Sequence, residues 1–194
     1  MESNYSREII MGIEQFKNQI LNGNCIDELK KNINKKLLKD SKKISAKERK
    51  RLANYIKKNS IYSISKSSTK EIDKLNILQA TLLSMKRAIN NLKRKPNIIL
   101  IDGAHAPKKM SYQYKTIVRG DEKIPAISAA SIIAKVARDR YITRLAKNYI
   151  PYGWHTNFGY GTKKHLNAII KFGVTIHHRK SFKPMHNILL GKKK

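Results

Sequence analysis

The run Ile98-Ile99-Leu100-Ile101, introduced by Pro96-Asn97 and stopped by Asp102-Gly103, constrains this chain more than any other stretch. Unbroken apolar character without polar alternation is what a strand buried on both faces requires, and such a strand needs helices on either side of its sheet. A second, β-branched run, Thr116-Ile117-Val118, leads into Gly120-Asp121. The chain holds 42 Lys and Arg against 13 Asp and Glu, yet beyond Asp73 its acids are only Asp102, Asp121, Glu122 and Asp139. All but Asp139 fall at or just past a strand end, the place where open α/β sheets bind their ligands. Asp139 stands between Arg138 and Arg140 and is expected to be an ion-paired surface residue.

The flanking segments supply helices. Ser45 with Glu48 after it has capping-box spacing for a helix running to about Lys58. Ile61-Tyr62-Ser63-Ile64-Ser65 alternates and is expected to form a short strand. From Lys70 to Asn91, Ile72, Leu75, Leu78, Leu82, Met85 and Ile89 recur at steps of three or four, a helical stripe facing a core. Pro125 opens a further helix, rich in small residues from Ser128 to Ala137, that continues to about Asn148. Over residues 1–36, Ile9, Ile10, Ile13, Phe16, Ile20 and Leu21 predict an amphipathic helix, and a second short helix follows Asn24 with Asp27-Glu28 in its first turn; no strand is expected there.

A formal net charge of +29 points to a polyanion. Lys, Ile and Asn are all abundant, as a coding bias would produce, but the basic residues gather in patches such as Lys39-Asp40-Ser41-Lys42-Lys43 and His177-His178-Arg179-Lys180, which favours nucleic acid. Loop lysines before a helix N-terminus suit phosphate; a solvated cap is the alternative for that segment. Tyr160, between Gly159 and Gly161 and beside Lys163-Lys164, is either a stacking platform for a base or sugar or a core tyrosine. One cysteine excludes an internal disulfide, no apolar run approaches the roughly 20 residues of a membrane span, and the first residues lack a secretory pattern. A monomer in the reducing cytoplasm, away from membranes, is the expectation.

Several segments together resemble type 2 ribonuclease H, the bacterial ribonuclease HII family, over about residues 37–184. They are Asp40-Ser41-Lys42-Lys43-Ile44-Ser45, the stretch from Glu71 to Thr81, Ile101-Asp102-Gly103 and Arg119-Gly120-Asp121. The order continues through the Ser128–Asp139 helix, Gly159-Tyr160-Gly161-Thr162 and His178-Arg179-Lys180-Ser181-Phe182. The resemblance implies a ribonuclease H-like mixed sheet flanked by helices. It implies an endonuclease that cuts the RNA strand of RNA–DNA hybrids and single ribonucleotides embedded in duplex DNA, with Mn²⁺ or Mg²⁺ as cofactor. Asp102 and Asp121 match two of the family's four metal-holding acids, Tyr160 matches its sugar-stacking tyrosine, and Ser41, Lys42, Lys43 and Arg179 fall in its substrate-binding segments.

The N-terminal catalytic motif departs from the family. Where a Gly-x-Asp-Glu strand and a glycine-arginine-glycine loop belong, the chain has Gly12-Ile13-Glu14-Gln15-Phe16-Lys17, so Glu14 is the one candidate acid there. Residues 1–36 are therefore expected to be a divergent, helical segment replacing the usual strands, 37–184 the ribonuclease H-like domain and 185–194 a basic tail. Loss of two metal carboxylates predicts weak or absent cleavage; a catalytically inactive nucleic-acid-binding remnant is the alternative.

Overall fold

The structure is a computed structural model and describes residues 44–182, 185 and 190, together with the backbone of 8–11 and 19–22. The chain divides into two compact units, Met1–Lys66 with Thr81–Val136 and Ser67–Ala80 with Ala137–Lys194.

The first unit is built on a mixed sheet of β1 (Glu8–Met11), β2 (Gln19–Asn22), β3 (Ile98–Asp102) and β4 (Gln113–Ile117), in the order β2-β1-β3-β4. β1 pairs antiparallel with β2 and parallel with β3, with Ile10 level with Ile101, and β3 pairs parallel with β4 from Ile98↔Gln113 to Asp102↔Ile117. This corrects the amphipathic helix expected through Ile9–Leu21. Glu8–Met11 carries two adjacent β-branched residues, and pairing with the buried strand β3 outweighs the weak helical spacing of its apolar residues.

Consecutive residues of β3 face opposite sides, so the apolar run divides between two cores. Leu100 packs with Leu52, Ala53 and Ile56 of α1 (Ala46–Lys58) and with Ala126, Ile127, Ala129, Ala130, Ile132 and Ile133 at the start of α4 (Pro125–Ala146). Ile99 and Ile101 pack with Leu82, Met85 and Ile89 of α2 (Thr69–Asn90). Helix, sheet and helix thus form three layers around one strand. Truncating a fully buried isoleucine such as Ile99 would cost about 2–5 kcal/mol.

Ser45 caps α1, its Oγ accepting from the Glu48 amide at 3.2 Å, but the Glu48 carboxylate pairs with Arg51 at 2.9 Å instead of completing the box. The reciprocal box occurs at α2, where the Ser68 amide donates to the Glu71 carboxylate and the Glu71 amide to Ser68 Oγ. α2 is two helical pieces joined at Asn76 (φ 67°, ψ 168°), whose Oδ1 accepts from the Gln79 amide and starts the second piece. That break ends the single stripe expected along the helix: Ile72, Leu82, Met85 and Ile89 are buried, whereas Leu75 and Leu78 are exposed. Ile61–Ser65 forms no ladder either with any strand among the described residues, and Ser63 is buried.

In the second unit, Ile142 and Ala146 of α4, Tyr152 of a 3-10 turn (Ile150–Tyr152), Trp154 of α5 (Trp154–Asn157), Ala168 and Ile169 of α6 (Lys163–Phe172) and Met185 share a core. Thr162 caps α6 by accepting from the His165 amide. Asp73 ties down the segment after α6, accepting from the Lys180 amide at 3.1 Å, the Ser181 amide at 2.9 Å and Ser181 Oγ at 2.7 Å. Among the described residues no helix is long and apolar enough to cross a membrane.

Candidate active site

Asp102 ends β3, and the ladder closes behind it where the Gly103 amide donates to Ile117 O at 2.9 Å. β4 stops at Ile117, the chain turns through Arg119 in the left-handed region (φ 56°), and the one-turn helix α3 (Gly120–Lys123) begins. Its Gly120 amide donates to Asp102 Oδ1 at 2.7 Å. A Cβ on Gly120 would stand 2.7 Å from Ile127 Cδ1 and 3.4 Å from Asp102 Oδ1, so any larger residue would have to displace the Ile127 methyl and crowd the carboxylate. Asp121, the next residue, is 5% exposed. The sequence placed Asp121 directly behind a strand end; the structure sets it one turn further on, in α3.

Arg119 pairs with Glu122 at 2.6 Å. The hydrogen bond that Arg119 donates to Glu122, and then the carboxylate's charge, raise the arginine's pKa above its ordinary value. Asp102 and Asp121 offer hard carboxylate oxygens, the donor type that suits Mg²⁺ or Mn²⁺. Among the described residues no group of three or more His, Cys, Asp or Glu side chains gathers around them. Glu14, Ser41, Lys42 and Lys43 lie outside the described residues.

Tyr160 and Arg179 belong to the second unit. Tyr160 is 55% exposed, which decides for a displayed ring over a core tyrosine. Its amide donates to Asn157 O and its carbonyl accepts from the Thr162 amide, both at 2.8 Å, while Gly159 takes φ +78° and donates to Asn157 Oδ1. The Arg138 guanidinium stacks on the ring, 4.9 Å from its centroid. Arg179 is half-buried and stacks on Phe182 at 4.0 Å. Asp139 pairs with Arg138 at 3.3 Å, as expected of an ion pair, but is partly buried.

Sequence reasoning missed the rings beneath. His178 is buried and stacks on His165 with centroids 5.3 Å apart and planes at 17°, among Tyr149, Tyr152, Trp154 and His177. The Thr175 amide donates to His178 Nδ1 at 3.0 Å and so uses the lone pair that protonation would remove. Burial, and then the facing His165, push the His178 pKa down to about 4. His165 holds Nδ1 at 3.0 Å from Tyr152 O, so Nδ1 carries its proton, and burial lowers its pKa too.

Solved structures with this architecture include the ribonuclease H2 from Pyrococcus horikoshii, with a TM-score of 0.74 at 22% identity over 95% of this chain and 98% of that one. Bst-RNase HIII in complex with Mn²⁺ gives 0.69 at 13% identity over 98% of this chain and 72% of that one. Likenesses this distant in sequence define the class, an α/β fold of ribonuclease H type. Sequence narrows the class to one family. The ribonuclease HII profile matches residues 22–185. A ribonuclease HII of Pelagibacter ubique is 56% identical over 161 residues, 83% of this chain and 87% of the relative; one of Cereibacter sphaeroides is 51% identical over 152 residues, 78% and 72%. The chain belongs to the ribonuclease HII family, and β1 lies ahead of the matched region.

Proposed function

We propose that this chain is a metal-dependent endonuclease that cuts the RNA strand of RNA–DNA hybrids and single ribonucleotides embedded in duplex DNA. The corner formed by Asp102, Gly120 and Asp121, in a chain of this family, carries the reading. Asp102 and Asp121 would hold Mg²⁺ or Mn²⁺, with Glu14 the candidate for a further carboxylate. When bound, such cations activate water and stabilise the leaving oxygen. The Gly120 amide fixes Asp102 Oδ1, and an ionised carboxylate keeps acceptor capacity on its second oxygen. Tyr160 offers an aromatic face to a sugar or base, while Arg179, Ser41, Lys42 and Lys43 supply charge or hydroxyls to phosphates. The net charge of +29 supports a polyanionic substrate.

One observation favours a second reading, a nucleic-acid-binding remnant without cleavage. β1 meets β3 at Ile10↔Ile101, and the residue that follows Ile10, as Asp102 follows Ile101, is Met11 and not an acid. A DNA duplex with one ribonucleotide, incubated with Mn²⁺ and with Asp102→Asn as control, separates the two. Product above the control supports the enzyme; binding with no metal-dependent product supports the remnant and rejects cleavage by this chain.

A further inference from the structure

We infer that Arg138 is the positioning residue for Tyr160: its guanidinium, stacked on the phenol ring and tied to Asp139, holds the ring in the orientation it offers to nucleic acid. The inference rests on Tyr160 as a substrate contact. The bonds from Asn157 and Thr162 fix the backbone on either side of Tyr160 but leave its two side-chain torsions to whatever touches the ring. Arg138 touches it from α4, at 4.9 Å from the centroid. The same guanidinium lies under the turn, since a Cβ on Gly159 would stand 3.9 Å from Arg138 Nη2.

The environment of Arg138 is that of a support. Its side chain is 12% exposed, against 72% for Arg119, and its Nη1 lies 3.3 Å from Asp139 Oδ1. A guanidinium so far from water requires partners, and here a carboxylate and an aromatic face serve. Both act on a planar cation; an ammonium would keep the charge and lose the stack. Fixing a ring that is 55% exposed reduces the ordering left to be done when a base or sugar stacks.

The test is a double-mutant cycle read by fluorescence anisotropy, with full-length chain and a labelled DNA duplex containing one ribonucleotide, without divalent cation. Tyr160→Ala should weaken binding about tenfold, the scale of one lost stacking contact. Arg138→Ala should weaken it about threefold to fivefold, Arg138→Lys nearly as much, and Arg138→Ala on top of Tyr160→Ala not at all. The slope of log K against log salt should stay as in the wild type. Equal Arg138 effects in both backgrounds, or a slope reduced by about 0.9, would instead make Arg138 a phosphate contact and overturn the inference. Wild-type binding by Tyr160→Ala would remove the reading of Tyr160 itself. Should Arg138→Ala lower the unfolding midpoint, the cycle is judged by the same criteria with Arg138→Gln.

Discussion

Asp102 and the rings around His178 are both polar groups set into apolar surroundings, and the two units hold them differently. In the first unit the carboxylate is gripped by main chain: a strand end, a glycine amide and a turn where a Cβ would crowd Ile127. In the second unit several titratable side chains carry the bonds: His178 accepts from the Thr175 amide, His165 donates to Tyr152 O, Asp73 accepts from the Ser181 amide, and the Arg138 guanidinium stacks on Tyr160. Main-chain donors do not titrate. The buried imidazoles His165 and His178, whose pKa values are pushed down, both lie in the second unit, which should therefore respond to acid.

The largest effect tests that contrast directly. Above the ordinary histidine value of 6.5 both folded and unfolded His178 are neutral, and the full contribution to stability is present. Below it the unfolded chain takes up a proton that the folded ring refuses until about pH 4, so on the order of 3 kcal/mol is lost as the pH falls through that window. Asp73 acts lower down. Burial alone would raise its pKa, but the bonds from Ser181 and Lys180 outweigh this and hold it below 3.8, so its contribution is present above 3.8 and lost as the pH falls through the lowered value. Trp154 is the sole tryptophan and sits in that unit, so its emission reports the change. A signal unmoved between pH 6.5 and pH 4 would break the contrast.

Glycine substitutions sharpen the contrast at the next level. Gly120→Ala should destabilise by about 1–3 kcal/mol through crowding against Ile127 and Asp102, whereas Gly159→Ala, whose nearest neighbour would be 3.9 Å away, should cost about 1 kcal/mol through its left-handed backbone alone. Urea unfolding of the two variants measures both, and equal losses would mean that the first turn is looser than its contacts imply. Effects as small as that of Gly159→Ala are expected at the caps: Ser45→Ala and Thr162→Ala should each cost about 1 kcal/mol in the same assay, because a single bond from an amide to a hydroxyl oxygen does the same work in either unit.

The same division explains what could be read from the sequence. β3, the start of α1, the opening of α4 at Pro125 and the cap at Thr162 follow from contiguous residues, and so does Asp102 at a strand end. The family motifs located Asp121 and Tyr160. Asp73, in contrast, gains its partners at residues 180 and 181, and no local pattern reports a bond across that separation. The break at Asn76 left the helical spacing of apolar residues intact and so gave no periodic signal, although an asparagine that can cap its own helix was the available clue. At the N-terminus the local pattern favoured a helix, and only the unpaired side of β3, nearly half the chain away, makes the strand. Arg138 drew notice as a partner of Asp139, while its stack on Tyr160 depends on the return of the chain after α5.

That remote pairing also orders events in time. β1 and β2 can join as a hairpin as soon as they are made, but the parallel pairing of Ile10 with Ile101 closes a loop of roughly ninety residues, which at about 5–20 residues per second takes some seconds of synthesis. During that interval one edge of β1 has no strand beside it, and on a polysome the same edge is repeated on every neighbouring chain. β1 thus waits for β3 long after β2 can have paired with it, and premature pairing between nascent chains is the hazard that this topology carries.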